Sequence, residues 1–222
     1  MAAPPFDTML HRIGELQPRL PPAESLLLAV VALGTVVVPA SWLLVRHVSV
    51  IAHEGAHAVT GSGLGHKVAG IRLQPDGTGA TRVPQGIAVS VMGYFGPSLL
   101  GLGMAKIISV GHSVAVLWLA LLALTLALPV LRGSFSFFVV IVTGMLVYAA
   151  ARYAAVPAQT AAAYGITWFL LLSGIRVIIE HGRNARDARD LSGITHIPRG
   201  FWSALWLAGT GAALIAGGAL LL

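Results

Sequence analysis

The chain has no cysteine and very little charge. Without cysteine there are no disulfides, no thiolate metal ligands and no thiol nucleophile, so any metal site must draw on His, Asp or Glu. Charged residues make up only 10% of the 222 residues and hydrophobic residues 56%, whereas an ordinary soluble domain is about 25% charged. A water-soluble protein of this size could not cover its surface with so few charges. The apolar residues also come in blocks, which points to a membrane protein. Acidic groups are especially scarce: Asp7, Glu15, Glu24, Glu54, Asp76, Glu180, Asp187 and Asp190 are the whole set. The net charge is +6, but the bases sit in short loops between apolar blocks. There they set topology against an anionic cytoplasmic leaflet; no basic soluble module is present to bind nucleic acid.

Residues 25–45 form the first apolar block, long enough to cross a hydrocarbon core of about 30 Å. A less apolar helix over 46–61 follows, ended by the glycine-rich GSGLG. Residues 66–84 alternate apolar and polar on either side of Pro75-Asp76-Gly77, the pattern of a β-hairpin. Further spans are expected at 87–108, 113–131, 135–150, 160–179 and 201–222, the last opening with Trp202 and Trp206 as interface anchors. A strongly polar segment lies between the last two, at about 180–200. The expected fold is an all-α polytopic membrane protein of about seven transmembrane helices with one small hairpin. It has a cytoplasmic tail at 1–24, without a cleavage site, and a single membrane domain at 25–222. With a cytoplasmic N-terminus and seven alternating helices, Arg12, Arg19, Lys67, Arg72, Arg82, Arg132, Arg183, Arg186, Arg189 and Arg199 fall inside. Only Arg46, Lys106 and Arg152 fall outside, as the positive-inside rule requires. A bacterial plasma membrane, with most polar chemistry at its cytoplasmic face, fits this arrangement.

One motif carries chemistry: His53-Glu54-Gly55-Ala56-His57, an HExxH. On a helix the two histidines at i and i+4 share a face and can reach one ion at about 2.0–2.1 Å, while the glutamate stands beside the attacking water. Zinc in such a site makes water nucleophilic near neutral pH and polarises a scissile carbonyl. Glu54 is the only acidic residue within an apolar or semi-apolar block, and an ionisable group at membrane depth is costly unless it has work to do. The plainer alternative is a polar cluster that glues helices together.

A catalytic zinc needs a third protein ligand and an open position. Elimination leads to the segment after the sixth helix, where Asp187 and Asp190 are three residues apart and would share the face of a short helix. One could bind metal and the other hold a ligand histidine; equally, both could pair with Arg183, Arg186 and Arg189. His66 is out of register for the extended HExxHxxGxxH pattern, since Thr60 and Gly63 occupy its Gly and His positions, and reads as a loop histidine. His181 and His196 flank the polar segment.

Together these motifs resemble the site-2-protease family of intramembrane zinc metalloproteases, in its compact bacterial branch. The resemblance rests on HEGAHA at 53–58, GIRLQPDGTGATR at 70–82, GYFGPSLLG at 93–101 and RDARDLSGITHIP at 186–198, in that order. It implies one Zn2+ per chain bound by His53, His57 and Asp187, with Glu54 as general base. Asp187 follows from the family's Ser-Asp-Ala, which reads Arg186-Asp187-Ala188 here; Asp190 is the alternative ligand or its support. The resemblance further implies transmembrane protein or peptide substrates and regulated intramembrane proteolysis. In GYFGPSLLG, Gly93, Gly96 and Pro97 are candidates for substrate contact or for close helix packing. Two other functions are open to such a chain: a membrane scaffold that keeps the protease fold, and a metal transporter using the histidines in transit.

Overall fold

The computed structural model describes residues 12–182 and 186–222; Asp7 and Arg183 lie outside the described residues. Helix α1 runs Pro22–Val37 and α2 runs Pro39–Gly63. Strands β1 (Gly70–Leu73) and β2 (Gly79–Arg82) follow, then α3 (Ile87–Ser109), α4 (Ser113–Ala127), α5 (Ser134–Tyr153), α6 (Val156–His181), α7 (Arg186–Thr195) and α8 (Arg199–Leu221). Five of these helical segments, led by α3 and ended by α8, are long and apolar enough to cross a membrane; a sixth counts if α1 and α2 form one broken span. Their outer faces carry bare apolar side chains, among them Leu44, Val59, Leu126 and Ile215, as lipid-facing surfaces do.

The count falls short of the expected seven because of one proline. The expected span over 25–45 hides Pro39 within an apolar run. A residue before proline is pushed out of the helical region, and Val38 sits at φ −71°, ψ 122°. Pro39 then opens a new helix, a position where its missing N–H costs nothing. The chain turns by 100° there, so the first span ends at Val37 and α2 begins seven residues before Arg46. The Ser41 hydroxyl lies within reach of the carbonyls of Gly34, Thr35 and Val38 on either side of the break. The bend is also tied to α6: Trp42 Nε1 donates to Glu180 Oε2 at 3.0 Å, and Arg176 lies 3.6 Å from the same carboxylate.

The expected hairpin is present. Gly70 pairs with Arg82 and Leu73 with Gly79 in antiparallel register. Gly77 closes the turn at φ +80°, a conformation that suits glycine. The outer edge of β1 is occupied: Ile71 O accepts from Arg132 N at 2.8 Å, and Leu73 N donates to Ser136 Oγ at 2.9 Å. At its tip, Arg46 reaches Pro75 O, and His47 Nε2 lies 3.1 Å from Gln74 O. The hairpin is therefore anchored at both ends on α2 and the start of α5.

The N-terminal segment lies at the far end of the bundle. Gln17 N donates to Gly111 O, and its side-chain Oε1 accepts from Val114 N, capping α4. Arg19 Nη2 donates to Leu220 O. Gly111 follows the C-terminus of α3, whereas the hairpin precedes its N-terminus, so residues 17–19 and the hairpin sit at opposite ends of a span. This corrects the expected topology, in which both shared the cytoplasmic side. Residues 19 and 220 lie at one end of the bundle, which agrees with α1 and α2 counting together as one bent span.

Helix α3 approaches its neighbours through missing side chains. A Cβ on Gly96 would collide with Ala56 Cβ and Ala52 O, whereas one on Gly103 meets nothing. Gly96→Ala is expected to destabilise the protein by about 1–3 kcal/mol, and Gly103→Ala to be neutral or stabilising by about 0.5–1 kcal/mol, both read by unfolding in mild detergent. Because the chain has no cysteine, topology is directly testable. In sealed vesicles, an impermeant maleimide should label Asp76→Cys and Val110→Cys from opposite faces.

Candidate metal centre

Helix α2 presents two chemistries on adjacent faces. His53 and His57, one turn apart, face α3 and α7. Glu54, about 100° round the helix, turns under β2. Gly93 makes the first possible, because any Cβ there would overlap the His57 ring. With that space kept, His57 Nδ1 comes within 2.8 Å of the Val89 carbonyl. Donation of Nδ1–H to that oxygen leaves Nε2 free to bind metal. His57 Nε2 lies 3.1 Å from His53 Nε2, and each lies 3.4 Å from Asp187 Oδ2. Gly93 lies six residues into α3, so the cluster stands about 9 Å along that helix from the hairpin end.

These distances test whether a zinc ion fits. Tetrahedral coordination at about 2.0–2.1 Å places ligand atoms about 3.3–3.4 Å apart. The three separations of 3.1, 3.4 and 3.4 Å match it, and two nitrogens with one carboxylate oxygen form a donor set that zinc accepts. Among the described residues this is the group of His, Asp and Glu side chains able to hold an ion.

Asp187 reaches the histidines because of how α7 packs. Asp187, Ala188 and Leu191 are its buried residues. Ala188 and Leu191 pack with Tyr94, Ile178, Trp202 and Trp206, which turns the Asp187 face toward α2. Burial pushes the Asp187 carboxyl up, but the hydrogen bonds and charge of His53 and His57 outweigh it and hold the group well below the usual carboxylate range. Asp190 is half-buried and stands outside the cluster. Among the described residues, neither aspartate forms an ion pair with Arg186 or Arg189.

Glu54 is only 4% exposed. Its carboxylate Oε2 accepts from Thr81 Oγ1 at 2.7 Å, and the same hydroxyl lies 3.0 Å from the Glu54 carbonyl. Gly79 lies so near that a Cβ there would press on the Glu54 side chain. The remaining sequence candidates separate. Gly93 and Gly96 pack α3 on α2, and Pro97 is buried within a continuous α3. His66 ends α2, its N–H donating to Gly61 O. His181 is exposed beside Glu180, and His196 takes φ 59° after α7. Sequence reasoning gave no site role to Thr81, the Val89 carbonyl, Tyr94 or Trp206. It read Trp206 as an interface anchor, whereas the side chain is fully buried beside Tyr94.

The Peptidase M50B-like family model matches residues 26–217. The chain matches no curated protein and no solved structure. Zinc content of the detergent-purified protein checks the ligand set. Wild type and Asp190→Ala should hold about one ion per chain, and His53→Ala and Asp187→Ala should lose it.

Proposed function

Because the chain belongs to the Peptidase M50B-like family, and so to the site-2-protease group that its motifs resemble, we propose that it is a membrane-embedded zinc endopeptidase. On this reading it hydrolyses peptide bonds within or beside transmembrane segments of other proteins. The observation that carries it is the set His53, His57 and Asp187 at tetrahedral spacing, with a buried carboxylate one residue along the same helix. His53, His57 and Asp187 would hold one Zn2+ per chain. When bound, zinc would supply Lewis acidity, making a water nucleophilic and polarising the scissile carbonyl.

The protein's own groups do the rest. Glu54 takes the proton of the attacking water and returns it to the leaving amine. Thr81 holds that carboxylate in place from the strand above. His57, locked by Val89, keeps one ligand nitrogen oriented.

The hairpin supplies a way to hold substrate. Ladder groups alternate along a strand. With Ile71 and Leu73 bonding to the outer edge of β1, their partners Thr81 and Gly79 turn their backbone groups to the outer edge of β2. Among the described residues no hydrogen bond meets those groups. An extended peptide adding itself there would run past Glu54. That suits a protease whose substrate helix must unwind before its peptide bond can be attacked.

The site end of the bundle carries Arg46, Lys67, Arg72, Arg82, Arg132, Arg186, Arg189 and Arg199, against Arg12, Arg19, Lys106 and Arg152 at the other. The positive-inside rule therefore puts the site on the cytoplasmic side, with residues 12–21 on the opposite face. A scaffold would have no need of a buried, oriented Glu54. A transporter would need further polar stations, and among the described residues no second ligand cluster lies along a path.

Glu54→Gln keeps the shape of the side chain but removes the base. It should abolish cleavage of a transmembrane reporter while zinc stays bound. A variant that still cleaves would sink the mechanism.

A further inference from the structure

The two histidines are held differently. His57 has the usual support for a metal-binding imidazole, a backbone acceptor at Nδ1. For His53, whose Nε2 faces Asp187 and His57, no acceptor meets Nδ1 among the described residues. Its ring instead meets two others edge to face: that of its fellow ligand His57, with centroids 4.8 Å apart at 83°, and that of Tyr94, with centroids 4.8 Å apart at 86°. Tyr94 in turn stacks on Trp206 at 4.3 Å and 28°. Trp206 is fully buried, and its Nε1 donates to Val91 O at 3.0 Å. Three rings from α2, α3 and α8 thus form a column with its far end bonded into α3. Gly93 and Tyr94 divide the work between them: the glycine leaves room for His57, and the next residue walls in His53.

We propose that Tyr94, backed by Trp206, is a positioning residue for His53, its ring doing by packing what the Val89 carbonyl does for His57 by hydrogen bonding. The proposal rests on the metallopeptidase reading of the same site. Losing the wall would free the His53 ring to rotate about its side-chain bonds, and the ligand set would lose its preorganisation. The hydroxyl is not part of this role, so phenylalanine should substitute for tyrosine.

The test uses full-length protein in detergent, with zinc affinity measured against a chromophoric chelator and the visible spectrum of the cobalt(II) form as a report on ligand geometry. Tyr94→Met, which fills a similar volume without a ring, should lower zinc affinity on the order of tenfold or more and alter the cobalt spectrum. Tyr94→Phe should match wild type in both. Wild-type affinity in a folded Tyr94→Met protein would overturn the proposal, as would a Phe variant that loses as much as Met. Should the Met variant not fold, the Phe variant decides alone: wild-type affinity and spectrum support the ring, and a drop in either overturns it. A wild-type protein that binds no zinc would instead remove the metallopeptidase reading, and this inference with it.

Discussion

The site depends on how closely α2 can approach α3. The contact is made at Gly93 and Gly96, where α3 has no side chain and the His57 ring, Ala56 and the backbone of Ala52 fill the space. In a bilayer, apolar burial cannot drive such a contact, because lipid tails are as apolar as leucine; close packing and hydrogen bonds must hold it. The close approach brings the His57 ring onto the Val89 carbonyl and the His53 ring against Tyr94. A wider gap would break both supports at once. The bend at Val38 serves the same contact. It lets α2 leave the line of α1 and lie across the first half of α3 instead of running beside α1 to the far end.

Several polar groups at membrane depth are paired with a partner from another element, although among the described residues the buried Ser49 and Ser98 hydroxyls and the Trp202 indole N–H have none. Glu54 has Thr81, the Trp42 indole has Glu180, Asp187 has the two histidines, and the Trp168 indole has Ser25. An unpaired polar group costs several kcal/mol in hydrocarbon, so these contacts select a single arrangement of helices rather than merely adding stability. Long-range polar pairs also do what apolar periodicity cannot. They specify which helix meets which.

This distinction explains what could be read from the sequence. The HExxH pair is local, one helical turn, and the hairpin is local, two strands about a Pro-Asp-Gly turn; both are visible in a linear string. The later spans are also legible, because each is an uninterrupted apolar run. The first span was not, since an apolar run containing Pro39 looks continuous by hydropathy while the residue before the proline leaves the helix. That single break turns the chain by 100° and leaves residues 17–19 at the end of the bundle away from the hairpin, so one proline changes the reading of the whole first segment. The choice between Asp187 and Asp190 needed the packing of α7. Asp187 lies within the arc that Ala188 and Leu191 bury, and Asp190 lies outside it. Val89, Tyr94 and Trp206 act through space on residues more than thirty positions away, and nothing in local spacing marks them.

The hairpin makes the last constraint on how such a site could work. It is fastened at its tip to Arg46 and His47, along its outer edge to Arg132 and Ser136, and at β2 to Glu54 through Thr81. A loop so held does not swing aside as a lid without breaking several hydrogen bonds together, including the one that orients the base. Access to the cluster must then come along the free edge of β2 or between helices, not by lifting the strand pair. An extended segment fits the first route and an intact transmembrane helix does not, because its backbone groups are already satisfied within the helix. On the proposed reading, a fixed edge beside a fixed base would favour segments that unwind easily.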